Sequence, residues 1–446
     1  MSSLLPKRRQ SLRQSLRQSL IERLPEPVAW AIRLVQLRRR IPLRRLVLLG
    51  IVGWLGLQAL VVGALAVVAM RRKQRLPRSG FPYMELDDVQ VGESALRIYS
   101  YGRDLYDAML EAIDAAQECI YIESFIWKDD AVGQTFRDRL AARARAGVQV
   151  YAIFDSFGNL VVPRAFKQFP PEIHTLRFQS FHRIWHLLDP RRYALDHRKL
   201  LIVDGKVGFI GGYNLGSLYA TEWRDTHLRI SGPAATDLAQ SFVDFWNRFS
   251  PKKARIEQNY LRHFDPTIAL QGNNAVRLTF PIRDMYIDAI DRAQHHILLT
   301  NAYFIPDHTV LDALIEAAER GVRVEIVLPW ASNHILADWG ARGYFTTCLE
   351  AGIHLHGYQG AMIHAKTCTV DGQWSTIGTA NLDRLSAVGN YEINVEVYSR
   401  QLARQMELLF ACDKSNAFEI TAEQWLRRPW YVKLSEWIVA PLQVAM

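Results

Sequence analysis

Four residue types recur in this chain at a spacing that suits phosphate chemistry. His197, Lys199 and Asp204 lie in the run His197-Arg198-Lys199-Leu200-Leu201-Ile202-Val203-Asp204-Gly205, which is followed by Gly211-Gly212-Tyr213-Asn214. The pattern returns 167 positions later as His364-Ala365-Lys366-Thr367-Cys368-Thr369-Val370-Asp371-Gly372, followed by Gly378-Thr379-Ala380-Asn381. Residues 197–230 lie on 364–397 without a gap, and Asp225 falls on Glu392. Two imidazoles, two ammonium groups and two amides gathered in one pocket would fit a phosphodiester. The cations Lys199 and Lys366 and the amides Asn214 and Asn381 match its non-bridging oxygens, and the imidazoles match a nucleophile and a general acid. A single copy could equally be a buried histidine on a core strand with its lysine tip reaching for water. Two copies in one register weigh against that reading.

The elements that must position these residues are hairpins. The residues between each Lys and Asp are apolar or β-branched, and Asp204-Gly205 is a turn signal. On a strand, His197 and Lys199 project from one face, as do His364 and Lys366. Gly211-Gly212 in the returning strand allows a close backbone approach that brings Asn214 to the same spot. Asp204 and Asp371 fall at the hairpin ends, where they orient the site or fix the turn. Asp225 and Glu392, in matching register, are candidates to orient the imidazoles, with strand-end salt links as the alternative.

Before the first motif the pattern alternates strand and helix: helix 105–117, strand 119–127, helix 132–146, strand 148–155. The second half repeats it, with Ala116-Gln117-x2-Ile120 matched by Ala293-Gln294-x2-Ile297 and Gly147-Val148-x-Val150 by Gly321-Val322-x-Val324. The duplication therefore covers whole halves, each a central sheet with flanking helices. The stretch between Asp155 and His197 has no counterpart of similar character. It carries Pro163, Phe166, Phe169, Pro170, Pro171, Phe178, Phe181, Trp185, Leu187 and Leu188, with Arg183, Arg191 and Arg192. It reads either as an entrance for acyl chains with cations for a headgroup or as packing over a sheet edge. The tail, with Trp425, Arg427, Arg428, Trp430, Tyr431, Lys433 and Trp437, reads either as a bilayer-interface segment or as a helix closing the second half.

Charge and hydropathy separate the N-terminus from this body. The net charge is +9, but residues 1–78 hold 17 Lys and Arg against 2 Asp and Glu, so the remainder is net acidic by 6. A nucleic-acid enzyme needs its cations around the site, and here they are elsewhere. Leu46 to Met70 is 25 residues without a charge, between Arg44-Arg45 and Arg71-Arg72-Lys73. It is long enough to cross a bilayer, and too long and too far from residue 1 for a signal peptide. Upstream, Leu12, Leu16, Leu20 and Leu24 recur four apart beside Arg13 and Arg17, as an amphipathic helix on an anionic surface or a basic tail would. More basic residues precede the span than follow it, which favours the N-terminus inside. The excess next to the span is small, so the side of the body stays open. Four scattered cysteines, Cys119, Cys348, Cys368 and Cys412, suggest neither a disulfide framework nor a zinc site, and no acidic cluster has ligand spacing for another metal.

The paired His-x-Lys-x4-Asp motifs resemble those of the phospholipase D superfamily. Within it the chain is similar to bacterial cardiolipin synthases from about residue 92 onward, including Glu123-Ser124-Phe125-Ile126-Trp127, Trp223-Arg224-Asp225-Thr226-His227 and Asn301-Ala302-Tyr303-Phe304. Gly378-Thr379 departs from the frequent Gly-Ser but keeps a hydroxyl. The resemblance implies an α/β fold of two duplicated phospholipase D-like halves, each a central mixed sheet flanked by helices, sharing one active site. The expected organisation is a basic segment (1–45), a transmembrane helix (46–70), a linker (71–90), the halves 91–260 and 270–415, and an aromatic, basic tail (416–446). No cofactor is expected, and the lack of ligand spacing leaves no metal expected either. The resemblance also implies phospholipid partners such as phosphatidylglycerol, and a single-pass location in a bacterial plasma membrane. His197 is placed as nucleophile and His364 as acid, and the expected reaction is transfer of a phosphatidyl group to a second phosphatidylglycerol to give cardiolipin. A phospholipase D using water as acceptor shares every motif and stays open; a nuclease is disfavoured by the acidic body and the anchor, and the presence of all six His, Lys and Asp residues argues against a silent membrane scaffold.

Removing residues 1–78 is expected to leave a folded body and to weaken membrane association, because the apolar span and the basic excess both lie there. Sedimentation with washed membranes checks it. Undiminished pelleting of the truncated chain would contradict the anchor.

Overall fold

The computed structural model describes residues 43–75, 80–179 and 194–439. The Leu12–Leu24 repeat, the 180–193 part of the long connection with its three arginines, and residues 440–446 lie outside the described residues. By contacts the chain divides into residues 1–64 and 65–446. The uncharged run forms helix α1 (Leu43–Arg75), within which Val47–Leu65, with a mean hydropathy of 2.1, is long and apolar enough to cross a membrane. Its Leu48, Leu49 and Leu60 are exposed, the expected state of a helix whose solvent is hydrocarbon.

The body holds two eight-stranded mixed sheets. The first half supplies β1 (Val89–Val91), β2 (Ser94–Tyr99), β3 (Cys119–Ser124), β4 (Gln149–Asp155), β5 (Ile173–Phe178), β6 (Leu200–Val203), β7 (Val207–Gly211), β8 (Trp223–Arg224) and β9 (His227–Ser231). All but β8 form one sheet, in the order β1-β2-β9-β7-β6-β3-β4-β5. The second half supplies β10 (Ile268–Gly272), β11 (His296–Asn301), β12 (Arg323–Pro329), β13 (His354–Tyr358), β14 (Met362–Ile363), β15 (Lys366–Val370), β16 (Trp374–Gly378), β17 (Ile393–Tyr398) and β18 (Ala417–Ile420). Its sheet runs β10-β17-β16-β15-β11-β12-β13-β18. In each, three strands are parallel (β3-β4-β5 and β11-β12-β13) and the motif strands run antiparallel beside them. Of these strands β3, β11 and β12 are buried almost throughout, as strands covered by helices on both faces must be, whereas β5 at the sheet edge exposes His174, Thr175 and Arg177.

The expected helices occur with shifted ends, at Gly102–Ala115 and Ala131–Arg145. The second begins where the Asp130 carboxylate accepts from the Gly133 N–H, a cap the periodicity does not show. One expectation is corrected. The 155–197 stretch does have a partner in the second half, since β5 occupies the place that β13 fills there. Phe166 and Phe178 are buried in packing, whereas Phe157 and Val161 of the same stretch stand exposed on the wall of a cleft.

Three large apolar clusters hold the body. One lies on the helices of each half, around Leu105, Ile120 and Phe136 and around Ile290, Ile297 and Leu314. The third joins the halves, with Ile210, Leu228 and Ile230 of the first sheet and Ile377, Val395 and Val397 of the second in one cluster. The duplicated hairpins are thus brought together by burial of the apolar residues beside them.

The hairpin ends are tied down by the motif aspartates. Asp204 and Gly205, and likewise Asp371 and Gly372, adopt positive φ between 52° and 63°, the conformation for which an Asp-Gly pair is suited. The Asp204 carboxylate accepts from the N–H groups of Gln117, Glu118 and Cys119 at 2.8–2.9 Å, at the start of β3. Asp371 accepts from Gln294, His295 and His296 at 2.8 Å, at the start of β11. Both carboxylates are therefore occupied as staples between the hairpin and the central strand. Asp204→Ala or Asp371→Ala is expected to lower the stability of the body by about 2 kcal/mol, three charge-assisted bonds being lost at a half-exposed site. Urea unfolding of each variant measures this; full stability with lost turnover would instead put the carboxylate in the chemistry.

Candidate active site

The two motifs meet where the halves exchange backbone. His197 precedes β6, and its N–H donates to the carbonyl of Tyr391 at 3.0 Å, while the Tyr391 N–H donates to Leu195 at 2.9 Å. His364 lies between β14 and β15, and its N–H donates to the carbonyl of Arg224 at 2.6 Å. β14 pairs in parallel with β8 of the other half. Each histidine is therefore bonded to the residue just before the other half's acidic partner, Glu392 or Asp225.

That pairing crosses the carboxylates. His197 Nδ1 lies 3.0 Å from both carboxylate oxygens of Glu392, and His364 Nδ1 lies 2.6 Å from Oδ2 of Asp225. An ionised carboxylate only accepts, so each ring carries its proton on Nδ1 and presents the lone pair of Nε2. The rings are also packed from the side. Phe125 stands edge-on to His197 at 4.9 Å between centroids, and Trp223 lies 5.1 Å from His364.

Glu392 is further held by Thr379 Oγ1 at 2.6 Å and Ser386 Oγ at 2.8 Å. The hydroxyl of Thr379 thus positions a carboxylate. In the first half the matching residue is Gly212, where an added Cβ would lie 2.1 Å from Asp225 Oδ1. The close approach that this glycine permits is therefore to Asp225. The amide of Asn214 accepts from the Ile126 N–H at 3.1 Å. Asn381 is buried, and its Oδ1 has no partner among the described residues.

Lys199 and Lys366 are almost fully buried and form no ion pair among the described residues. The Lys199 ammonium donates to the His197 carbonyl at 2.6 Å, and that of Lys366 to the His364 carbonyl. Burial lowers Lys199 to about 7 and Lys366 to about 8, against the pull of Glu392 and Asp225. Burial likewise lowers both histidines, His364 to about 3 with Lys366 Nζ only 3.0 Å from its ring. Burial opposes the ionised form of Asp225, but Lys366 and His364 outweigh it and hold its carboxyl below the usual range. Around the cleft, burial thus weakens the proton affinity of both lysines and both imidazoles. An entering phosphodiester would supply the negative charge that lets these bases regain protons.

His197, Asn214, His364 and Asn381 line one cleft of about 1250 Å3, together with Phe125, Trp223, Tyr303, Trp330, His334 and Asp383. Sequence reasoning missed Asp383, which caps Arg384–Val388 through the Ser386 N–H and which burial raises to about 7. The repeat could have found it, because the matching residue in the first half is Gly216. It also missed the buried Arg224–Asp413 pair, bonded at 2.7 and 2.8 Å across the halves, which braces the strand that meets His364. His227, behind Asp225, has no partner on either ring nitrogen among the described residues. Asp204 and Asp371 are not on the cleft wall.

Comparison with known proteins accords with this arrangement. The family model described as cardiolipin synthase, phospholipase D-like domain matches residues 109–246 and 286–414. The major cardiolipin synthase of Bacillus subtilis (strain 168) is 29% identical over 370 residues, 77% of this chain and 74% of that protein. Cardiolipin synthase 1 of Staphylococcus aureus (strain MRSA252) is 30% identical over 352 residues, 75% of this chain and 70% of that protein. The crystal structure of a phosphatidylserine synthase from Haemophilus influenzae Rd KW20 shares the fold, with a TM-score of 0.59 at 15% identity, covering 83% of this chain and 99% of that one.

A phosphate analogue such as tungstate is expected to bind more weakly as pH rises through 7 to 8, where the lysines lose their protons, by up to about tenfold per pH unit for each proton taken up. Calorimetry at pH 8 in buffers of different ionisation enthalpy should show net proton uptake on binding. Lys199→Gln should reduce that uptake. Binding without proton transfer would contradict the weakened-cation pocket.

Proposed function

The chain belongs to the cardiolipin synthase family of phospholipase D-like proteins, and we propose that it is a membrane-anchored phosphatidyl transferase that joins two phosphatidylglycerol molecules into cardiolipin. The observation that carries this reading is the pair of carboxylate-held imidazoles facing one cleft, each with a buried lysine bonded to its own backbone carbonyl just behind the wall. His197 Nε2 attacks the phosphorus of the first lipid. The bond from phosphorus to the glycerol oxygen breaks, and that oxygen takes the proton carried by His364 Nε2, so glycerol leaves and a phosphatidyl-His197 remains. A hydroxyl of the second phosphatidylglycerol then gives its proton back to His364 as its oxygen attacks phosphorus, and the phosphorus–nitrogen bond breaks.

His364 at rest is neutral, so its acidic form depends on the charge the substrate brings. Lys199, Lys366, Asn214 and Asn381 hold the equatorial oxygens, whose charge grows in the transition state. Glu392 and Asp225 act as positioning residues, and each also stabilises the imidazolium when it forms. Asp204 and Asp371 act at one remove, through the hairpins. Helix α1 holds the body at the membrane that contains both lipids. The described residues that form the site call for no metal or cofactor in these steps.

Purified full-length protein incubated with phosphatidylglycerol vesicles is expected to yield cardiolipin and glycerol in equal amounts. Phosphatidic acid with glycerol would make it a hydrolase, and no product would refute the enzyme. His197→Ala and His364→Ala should each remove nearly all turnover, with the double variant little worse, because the two act as one unit. Half the activity in each single variant would mean two separate sites. With a nitrophenyl phosphodiester, whose leaving group needs little acid help, His364→Ala should accumulate an adduct on His197. An adduct on His364 in the His197→Ala variant would reverse the two roles.

A further inference from the structure

The helix Trp430–Val439 leaves large apolar side chains exposed. Its inward face is polar as well as apolar: Glu436 is buried and bonded to Arg428 at 2.8 and 3.1 Å, and the Ser435 hydroxyl accepts from the Trp339 indole N–H at 3.1 Å. Its outward face carries Trp430, Tyr431 and Leu434, which at positions i, i+1 and i+4 share one side of a helix. Trp430 is 74% exposed and Tyr431 60%. In water this arrangement leaves two aromatic rings and a leucine uncovered beside Lys433, while Ile438 and a carboxylate paired with Arg428 are buried.

What this helix packs on gives the exposed face a direction. It rests on the helix Ile335–Glu350 through Trp339. The first turn of that helix supplies Leu336 and Ala337 to the wall of the catalytic cleft, and Arg342 in it lies 4.8 Å from the ring of Trp330, another wall residue. The first half's part of the same wall ends in Phe157 and Val161, 61% and 82% exposed. Apolar surface therefore stands in the open at the cleft from one half and one helix away from it on the other.

We propose that the exposed face of Trp430–Val439 docks into the interface of a phospholipid bilayer and presents the cleft to lipids still seated in that bilayer. The proposal rests on the reading of the site as one that acts on phospholipids, and adds to it a second membrane contact in the body itself, separate from helix α1. A bilayer is the occupant that the residue types fit. Trp and Tyr suit the interfacial layer, where a ring can be covered while its polar atom stays wet, and the same segment carries Lys433 and Arg427, which hold the Leu426 carbonyl and the exposed Glu423 carboxylate at 2.8 Å and could exchange these for lipid phosphates. It also solves a problem of access: the reacting phosphate must reach imidazoles that are themselves buried, while its acyl chains gain nothing from entering water.

The test uses the full chain with residues 430, 431 and 434 changed together (Trp430→Ala, Tyr431→Ala, Leu434→Ala), none of which lines the cleft. Phosphatidylglycerol is offered in two forms, as long-chain lipid in vesicles and as a short-chain analogue dissolved below its micelle concentration. The expected result is a KM on vesicles raised about tenfold with kcat unchanged, and activity on the dissolved lipid within about twofold of wild type, since only interfacial burial is lost. Equal losses on both forms, or none on either, would overturn the proposal. Hydrogen exchange on the wild-type chain gives an independent reading. The amides of 430–439 should be slowed in phosphatidylglycerol nanodiscs relative to detergent, whether or not cardiolipin is formed, so a failed transferase assay does not decide the docking. Unchanged exchange would refute docking, and so would protection in detergent that grows with protein concentration, which would assign the face to a second copy of this chain.

Discussion

Four charges share one buried space between the halves, and none of them is tolerable alone. An isolated ammonium or carboxylate so far from water would neutralise itself or unfold its surroundings. Lys199, Lys366, Asp225 and Glu392 offset one another, and the imidazoles of His197 and His364 stand between them. The offset is incomplete for the lysines, whose proton affinity is weakened by burial. A lysine left without an ion pair in this way would gain from an anion brought near it, which a fully ion-paired lysine would not.

The balance can exist only if two halves close on each other. Neither motif histidine finds its carboxylate in its own half. His197 depends on Glu392 and His364 on Asp225, each nearly two hundred or about one hundred and forty residues away along the chain. The backbone enforces the crossing, since each histidine's N–H is bonded to the carbonyl that precedes the other half's carboxylate. The shared apolar cluster of Ile210, Ile230, Ile377 and Val395 supplies the driving force, and the Arg224–Asp413 pair fixes the register on one side. Near-symmetry in the fold then permits difference in the site. Where one half has Gly212 and Gly216, the other has Thr379 and Asp383, so Glu392 sits in a web of hydroxyls while Asp225 holds its histidine by a short, single-oxygen contact.

The same separation of tasks runs through the rest of the chain. The excess of positive charge and the long apolar helix lie in the N-terminal part, while the body is net acidic and pairs its buried Arg198 and Arg224 with carboxylates. The motif aspartates, which could be read as members of a catalytic set, are spent on backbone N–H groups at the ends of the central strands. A rigid hairpin is what those bonds provide, and a rigid hairpin is what holds an imidazole and an ammonium two residues apart in a fixed relation.

How much of this could be known without a structure depends on whether it is local. The paired motifs, the repeat of whole halves, the Asp-Gly turns and the uncharged span were legible because each is a pattern of neighbours, set by side-chain period, turn conformation and hydropathy over short windows. The matched register even singled out Asp225 and Glu392. It could not say that they serve opposite histidines, because a period along the chain carries no information about which half's carboxylate a ring will meet. The stapling role of Asp204 and Asp371 was similarly half visible: the turn was in the sequence, but the three N–H groups each carboxylate holds lie 75 to 87 residues away. The outward face of Trp430 and Tyr431 was open to two readings until packing was known, since an aromatic, basic helix looks the same whichever side it buries. Residue types and their spacing thus determined the chemistry this protein can do. Which groups become partners, which charges lose their water and which apolar face is left uncovered were decided only when the two halves packed, because burial is a property of the assembled fold and not of any stretch within it.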